Sequence, residues 1–153
     1  MTPILTAPTE LPLPARLYGG LSRRYDMTTR AAIPAQWDDY AAMTTRPNSP
    51  SPHAHFGIAY GASGTGAFDY LSGQLLSDDA SPADGYARLR IAATTYARFV
   101  TAAPISTMPA AWSEVYGHWH AGPATGPCLE YYPPEFDGRT GLGGYELWVP
   151  TAP

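Results

Sequence analysis

The chain has 153 residues and a formal net charge of −4, and 14% of its residues are charged. This length suits one domain with a substantial core, and the sparse charge argues against a disordered segment or a coiled coil. All nine basic residues are arginines that form no basic run, which argues against a nucleic-acid surface. A single cysteine, Cys128, excludes an intrachain disulfide and a cysteine-rich zinc site.

The start of the chain carries no targeting signal. Met1 to Pro14 lack a positively charged start and an apolar stretch, so they do not form a signal peptide. No stretch of the sequence approaches the length of a membrane span. We expect residues 1–12 to form a loose leader and residues 13–153 to form one soluble, cytoplasmic domain without a nucleic-acid or membrane partner.

The first half of the sequence predicts a β-α-β-β unit. Leu17 to Tyr25 predict a strand, in which Gly19-Gly20 indicate a bulge or a close backbone approach. Pro34 suits the first turn of a helix. The apolar stripe of that helix consists of Trp37, Tyr40, Ala41 and Thr44. Two further strands are expected at His55 to Ala62 and at Ala67 to Leu76.

The second half predicts the same unit after a polar linker, Asp78 to Gly85. Ser106 or Thr107 can cap a helix that has Pro109 in its first turn. The stripe of this helix is Trp112, Val115, Tyr116 and Trp119. The strands of this half are expected at Tyr86 to Ile91, Thr95 to Thr101, Cys128 to Tyr132 and Gly143 to Val149.

Three short matches indicate that the two halves are an internal repeat. Pro34-Ala35-Gln36-Trp37 recurs as Pro109-Ala110-Ala111-Trp112, Phe68-Asp69-Tyr70-Leu71 as Tyr145-Glu146-Leu147-Trp148, and Ala15-Arg16-Leu17 as Ala97-Arg98-Phe99. We therefore predict an α+β fold of two pseudo-twofold β-α-β-β units, at about residues 13–77 and 86–151. An antiparallel sheet with two helices would leave a central groove between the units.

Glu146 is the residue of the sequence that most favours a functional site. In strand geometry it shares a face with Trp148, while Tyr145, Leu147 and Val149 share the face that should pack on the helices. An unpaired carboxylate among aromatic rings costs several kcal/mol, which a cationic ligand would offset, helped by cation–π attraction. The alternative is that Glu146 pairs with Arg98 or Arg139, or faces solvent. Its counterpart Asp69 fits a structural role better.

Aromatic side chains could line the same groove. The candidates on the predicted strands are Tyr60, Tyr70, Tyr96 and Tyr131, and those on the helices are Trp37 and Trp112. Aromatic residues at helical spacing are usually core residues. A pocket for a flat ligand uses the same residue types.

No cofactor or metal is expected. The histidines come as His53-x-His55, which could chelate on a strand, and His118-x-His120, which could not chelate on a helix. No carboxylate at a recognised spacing completes either pair. The glycines from Gly61 to Gly66 lack the lysine of a phosphate loop, and Cys128 fits a buried, inert thiol.

The motifs resemble a known family. Ile33-Pro34-Ala35-Gln36-Trp37, Phe68-Asp69-Tyr70-Leu71-Ser72-Gly73, Tyr96-Ala97-Arg98-Phe99 and the ending from Phe136 to Pro150 are similar to the GyrI-like small-molecule-binding domain, the effector-binding half of many AraC-type and MerR-type regulators. The resemblance covers about residues 13–152. It implies an aromatic groove for bulky, amphipathic and often cationic compounds, with Glu146 at its base. Because the chain leaves no room for a helix-turn-helix domain, we expect a stand-alone member.

The resemblance leaves several functions open. A stand-alone member could bind or sequester drugs. It could be a hydrolase of cyclopropane-bearing DNA-alkylating natural products, with Glu146 as the base and Tyr131, Tyr70 or Tyr96 as the proton donor. It could act as a gyrase inhibitor, a protein partner for which no surface is marked in the sequence. A more distant haem-binding relative, the SOUL fold, would use His53 or His55 as the axial ligand.

Overall fold

A computed structural model describes residues 3–43, 48–77, 86–119 and 126–151. Eight strands form one antiparallel sheet, and two helices accompany it. The strands are β1 (Thr9–Leu13), β2 (Arg16–Tyr25), β3 (His55–Tyr60), β4 (Phe68–Leu75), β5 (Ala87–Ile91), β6 (Thr94–Thr101), β7 (Cys128–Tyr132) and β8 (Tyr145–Pro150), and the helices are α1 (Ile33–Ala41) and α2 (Met108–Gly117). No helix among the described residues is long and apolar enough to cross a membrane. The α+β fold class predicted from the sequence is confirmed.

The strand order contains the internal repeat. Across the sheet the order is β1-β6-β8-β7-β3-β4-β2-β5. Exchanging each strand for its counterpart four strands along the chain returns the same order read backwards. The pseudo-twofold axis runs between β3 and β7, where Ile58 pairs with Leu129. The repeat predicted from the sequence is therefore a property of the whole sheet.

The first strand of each half crosses to the other half. β1 pairs with β6 along Thr9 to Leu13, and β5 pairs with β2 along Ala87 to Ile91. Residues 9–12 therefore belong to a strand, whereas the sequence predicted a loose leader. Thr9 and Pro12 made this segment look irregular, but it lies at the edge of the sheet, where proline is tolerated.

Strand register corrects one of the three sequence matches. Tyr25 pairs with Phe68 in the first half, and Thr101 pairs with Tyr145 in the second half. Phe68 and Tyr145 are counterparts at an offset of 77 (145 − 68), so their pairing partners Tyr25 and Thr101 are counterparts as well. Equivalent positions on β2 and β6 are therefore 76 residues apart (101 − 25). Ala15-Arg16-Leu17 and Ala97-Arg98-Phe99 are 82 apart (97 − 15), so they are similar in sequence without being structurally equivalent.

Gly19-Gly20 mark a close backbone approach and not a bulge. The pairing of β2 with β4 continues without interruption through Gly19↔Gln74 and Gly20↔Gly73. A Cβ at Gly20 would collide with the backbone of Ser72 and Gly73.

Helix α1 is fixed to the sheet by a buried amide. Pro34 stands in its first turn, as the sequence predicted. The fully buried Gln36 accepts a hydrogen bond from Tyr25 Oη at 2.6 Å and donates from Nε2 to Tyr70 O, at 2.9 Å, as well as to Leu21 O and Ser72 Oγ. The helix ends at Ala41, and Thr44, which the predicted stripe included, lies outside the described residues.

Helix α2 begins as predicted but without the predicted cap. Thr107 occupies the N-cap position, yet its side chain makes no capping bond. Its hydroxyl instead donates to Pro104 O and contacts Tyr145 Oη. Beyond the end of the helix at Gly117, Trp119 packs on the core.

An N-terminal arm crosses α2. The Glu114 carboxylate accepts hydrogen bonds from the backbone N–H groups of Ile4 and Leu5, at 2.8 and 2.9 Å. Leu5 is buried in the core between α2 and the sheet.

The sheet has a different core on each face. Tyr145, Leu147 and Val149 pack with Ala111 and Val115 of α2, so the apolar face of β8 lies against the helices as the sequence predicted. We call this side the helix face. The opposite side, which we call the open face, carries its own buried cluster, with members Tyr18, Phe56, Ile58, Leu71, Ile91, Tyr96, Leu129 and Trp148.

Candidate functional site

The eight residues that the sequence proposed as a binding site do not form one group. Trp37, Tyr70 and Trp112 lie on the helix face, where Trp37 and Trp112 pack against the core around α2. Five others lie on the open face: Tyr60, Tyr96, Tyr131, Glu146 and Trp148. The candidate residues therefore fall into two separate regions, one on each side of the sheet.

Glu146 is paired with an arginine. Arg98 Nε lies 2.6 Å from Glu146 Oε1, and Arg98 Nη2 lies 2.9 Å from Oε2. The Trp148 indole donates to Oε1 as well, at 3.0 Å. Glu146 is buried, at 7% relative exposure. This is the alternative that the sequence left open, in which an internal guanidinium compensates the carboxylate.

A second carboxylate, Glu130 of β7, lies on the helix face. Tyr70 Oη donates to Glu130 Oε1 at 2.6 Å, and Tyr132 Oη donates to the same oxygen at 3.0 Å. Both phenols are more than nine-tenths buried. Glu130 itself keeps partial access to solvent.

Tryptophans from both helices lie close to this group. The Trp37 indole of α1 donates to Tyr70 Oη at 3.0 Å, and the Trp112 side chain of α2 is near enough to Glu130 to influence the pKa of its carboxyl. The Trp37 ring stands edge-on to Tyr132, at 5.3 Å and 80° between ring planes. We call this group, Glu130 with Trp37, Tyr70, Trp112 and Tyr132, the Glu130 cleft.

No cation among the residues that the structure describes neutralises the Glu130 cleft. Within the described residues, no arginine or histidine forms an ion pair with Glu130. Burial raises the pKa of the Glu130 carboxyl, and hydrogen bonds from Tyr70 and Tyr132, together with the nearby Trp112 side chain, oppose that shift. Burial and the nearby carboxylate also raise the pKa of Tyr70 well above its ordinary value, so the phenol stays protonated and keeps donating.

Gly57 makes room for the central hydrogen bond. It stands opposite Glu130 in the pairing of β3 with β7. A Cβ at this position would collide with the Tyr70 hydroxyl and with Glu130 Oε1, the two atoms that are bonded to each other. A glycine inside a strand often marks such an approach.

Sequence reasoning did not find Glu130, although a signal existed. The strand Cys128–Tyr132 was identified, and alternation within it places Glu130 beside Tyr132 on one face. The repeat drew attention to matched acids, Asp69 and Glu146. The structural counterpart of Glu130 is Ala59, because Ala59 pairs with Tyr70 and Glu130 pairs with the equivalent Leu147.

The remaining candidates are not brought together among the described residues. Asp69 makes a half-exposed ion pair with Arg24, at 3.2 Å. His55 Nδ1 lies 3.1 Å from Tyr40 Oη, while His53 precedes β3 and so shares no strand with it. His120 lies outside the described residues. No group of three or more metal-ligating side chains occurs in the part of the chain that the structure describes. Burial raises the pKa of the Cys128 thiol.

Comparisons with known proteins agree with this architecture. A profile of the family described as the GyrI-like small molecule binding domain matches residues 6–152. None of the curated proteins compared with the chain matches it.

Solved structures with this fold cover nearly the whole chain. SAV2435 bound to tetraphenylphosphonium has a TM-score of 0.75 and 16% identity, over 96% of this chain and 94% of that chain. A putative transcription regulation protein from Staphylococcus aureus MU50 has a TM-score of 0.73 and 15% identity, over 95% and 98%. The EcmrR C-terminal domain has a TM-score of 0.59 and 13% identity, over 96% and 97%. At these identities the likeness concerns the fold.

Proposed function

The chain belongs to the family of GyrI-like small molecule binding domains, and from this premise we propose that it binds bulky amphipathic cations in the Glu130 cleft. The observation that carries the proposal is a carboxylate among aromatic rings with no internal cation in the described residues. Burying a charge without a partner is costly. A cationic ligand offsets that cost, and each ring adds about 0.5–2 kcal/mol of cation–π attraction.

The lining of the cleft suits a large, flat-sided ligand. Trp37 and Trp112 are partly exposed, and each stands on a different helix. Rings provide a large contact area with few rotatable bonds, so they lose little entropy when a ligand binds. These properties support a preference for bulky amphipathic compounds over small polar ones.

A ligand-bound relative of the same fold supports this choice of chemistry. SAV2435 was solved with tetraphenylphosphonium, a permanent cation that carries four phenyl rings. The open face of this chain is less favourable for binding a cation, because Arg98 already compensates Glu146. A cation bound there would compete with an internal guanidinium.

Binding of tetraphenylphosphonium to matched variants tests the proposal. We expect Glu130→Gln to weaken the affinity at least tenfold in isothermal titration calorimetry, since the amide keeps the hydrogen bonds but removes the charge. Glu146→Gln is the control, because it removes a carboxylate from the other face. Equal affinity of wild type and Glu130→Gln, or a loss confined to Glu146→Gln, would contradict the proposal.

A hydrolase acting in the same cleft is the second candidate, and the 2.6 Å contact of Tyr70 with Glu130 favours it. The carboxylate would remove a proton from water as the oxygen attacks a cyclopropane carbon and the ring bond breaks. The electrons would move to the conjugated enone oxygen, which would take up the proton that Glu130 removed from the water. Glu130 takes the role that the sequence gave to Glu146.

Product formation separates the two candidates. A cyclopropane-bearing alkylator incubated with wild type would yield a ring-opened product with one added water, detectable by mass spectrometry, if the protein is the hydrolase. Tight binding with no such product would leave binding as the function. The gyrase-inhibitor reading predicts inhibition of supercoiling, which a binding protein would not produce.

A further inference from the structure

The open face contains a cavity that the proposed function does not use. Its volume is about 560 Å³, within the usual range of small-molecule sites. It is separate from the Glu130 cleft because consecutive residues of β7 point to opposite sides of the sheet. Glu130 faces the helices, while Tyr131 lines this cavity.

Three rings form the floor of the cavity. Tyr131 and Trp148 are stacked, with centroids 5.2 Å apart and ring planes inclined by 22°. Phe56 lies 5.1 Å from Tyr131 and 5.5 Å from Trp148. Leucine side chains of β1 and β4 complete the apolar part of the wall: Leu11, Leu13 and Leu75. A flat ring system can stack on such a floor.

The lining of this cavity has two arginines and two acids, so the charge that meets a ligand depends on how these groups are paired. Both oxygens of Glu146 are occupied by Arg98, so this carboxylate is compensated. The Arg16 guanidinium lies over the rings of Tyr18 and Phe56, at 5.4 and 5.9 Å, and has no carboxylate partner among the described residues. Glu135, the other acid of the lining, is exposed, and interactions of exposed charges are weak.

Arg98 also keeps donors for a ligand. Its contacts with Glu146 use Nε and Nη2, and Nη1 has no hydrogen-bond partner in the described part of the chain. Two guanidinium groups therefore border a cavity with an aromatic floor. A guanidinium binds a carboxylate in a planar, two-bond geometry that lysine cannot reproduce.

We propose that this open-face cavity is a second ligand site that binds flat aromatic anions, such as an aromatic carboxylate, with its ring on Tyr131 and Trp148 and its charge on Arg16 and Arg98. The site requires a ligand charge opposite to that required by the Glu130 cleft. It uses none of the residues of that cleft, so each site is testable without the other.

Binding of 1-naphthoate measured by calorimetry tests the proposal, with 1-naphthylmethylammonium as a probe of matched ring and opposite charge. We expect Arg16→Gln to weaken 1-naphthoate at least tenfold and Arg16→Lys to weaken it less. Arg88→Gln, at an exposed arginine of edge strand β5, is the matched control and should have no effect. Glu130→Gln should leave 1-naphthoate binding unchanged, even if the cation proposal is wrong.

The outcomes that overturn the proposal are separate from misfolding. Circular dichroism and the melting temperature establish that each variant is folded before its binding is compared. If folded Arg16→Gln binds 1-naphthoate as tightly as wild type does, the assignment is wrong. A preference for the cation would also overturn it. If wild type binds 1-naphthylmethylammonium more tightly than 1-naphthoate, and Glu130→Gln shows the same preference, the assignment is wrong.

Discussion

Glu130 and Glu146 lie on opposite faces of the sheet, and their hydrogen-bond partners differ. Glu146 receives two bonds from a guanidinium and one from an indole. Glu130 receives bonds from two phenols, neither of which carries a positive charge. The first carboxylate is compensated within the fold, and the second has no cationic partner among the described residues.

At the residue level, the charge of Glu130 should reduce stability in the absence of ligand. We expect Glu130→Gln to raise the free energy of unfolding at neutral pH by about 1–2 kcal/mol, the scale of a desolvated polar group. Thermal unfolding checks this, with an expected rise in Tm of roughly 2–8 °C. A lower Tm would mean that the carboxylate stabilises the native state.

The pH dependence of stability should have a defined sign. Because burial raises the pKa of Glu130, the native state holds this proton more tightly than the unfolded chain does. Its contribution to stability is therefore present below the unfolded-state pKa of about 4.3 and is lost as pH rises through the native pKa. The free energies of unfolding of wild type and Glu130→Gln should therefore be most similar at low pH. As pH rises through this window, wild type should become less stable than Glu130→Gln, which urea titrations at several pH values can test.

Cation affinity should respond to pH in the opposite direction. Tetraphenylphosphonium keeps its charge at every pH, so only protein groups titrate. Its affinity should fall as pH is lowered through the raised pKa of Glu130, with a midpoint above about 4.3. In Glu130→Gln the affinity should be low and flat with pH, and a midpoint that persists in this variant would assign the titration to another group.

The sequence analysis searched for an uncompensated acid among aromatic residues, but it selected Glu146, which is paired with Arg98. An acid inside an aromatic strand was recognised as costly, yet the sequence does not determine which acid meets an arginine. Arg98 and Glu146 are 48 residues apart in sequence, and they become neighbours through the pairing of β6 with β8. The sequence analysis named Arg98 as one possible partner of Glu146, but it predicted neither this strand pairing nor its register.

At the level of elements, α1 depends on Gln36. Gln36→Leu should leave Tyr25 Oη without its buried partner and remove the bonds to three sheet acceptors. An unsatisfied buried polar group costs about 1–3 kcal/mol, so we expect a loss of about 2–4 kcal/mol in chemical denaturation. Gln36→Glu is a useful companion, since it keeps the shape and loses the donors. No loss in Gln36→Leu would contradict the bonding described for α1.

Gly57 links the strand β3 to the chemistry of the cleft. We expect Gly57→Ala to separate Tyr70 from Glu130, because the new methyl group would occupy the space between them. Tetraphenylphosphonium binding should weaken at least fivefold while the protein remains folded. Ala59→Gly, on the same strand and face, is the control. Unchanged binding in Gly57→Ala would argue that the hydrogen bond has no role in the site.

The elements themselves were largely predictable. Proline at each helix start and alternation in Cys128–Tyr132 identified α1, α2 and β7 within a few residues. The role of β1 was not predictable, because its partner β6 lies more than 80 residues away and its own pattern is weak. Gln36 was counted as part of a repeated motif, since only the packed structure brings its amide to the sheet. The proposed linker from Asp78 to Gly85 lies outside the described residues.

At the level of the whole molecule, the crossed strands make the halves interdependent. β1 completes the sheet of the second half, and β5 completes that of the first. We therefore expect residues 1–77, produced alone, to lack a cooperative unfolding transition, and mixing with residues 78–153 to restore it. A folded, monomeric first half would contradict this reading of the topology.

The two faces of the sheet give the molecule two regions with different electrostatic requirements. The helix face has Glu130 beneath the indoles of Trp37 and Trp112, and the open face has Arg16 above a floor of Phe56, Tyr131 and Trp148. Alternation along β7 and β8 produces this division, because adjacent residues serve opposite faces. The two halves share the arrangement of strands, but Glu130 has no acidic counterpart in the first half, where Ala59 occupies the equivalent position.

A crystal structure of the protein with tetraphenylphosphonium tests the central claim most directly. We expect the phosphonium in the Glu130 cleft, with phenyl rings against Trp37, Trp112 and Tyr132 and with Arg98 still bound to Glu146. Phosphonium found only on the open face, over Tyr131 and Trp148 with the Arg98–Glu146 pair broken, would contradict the account.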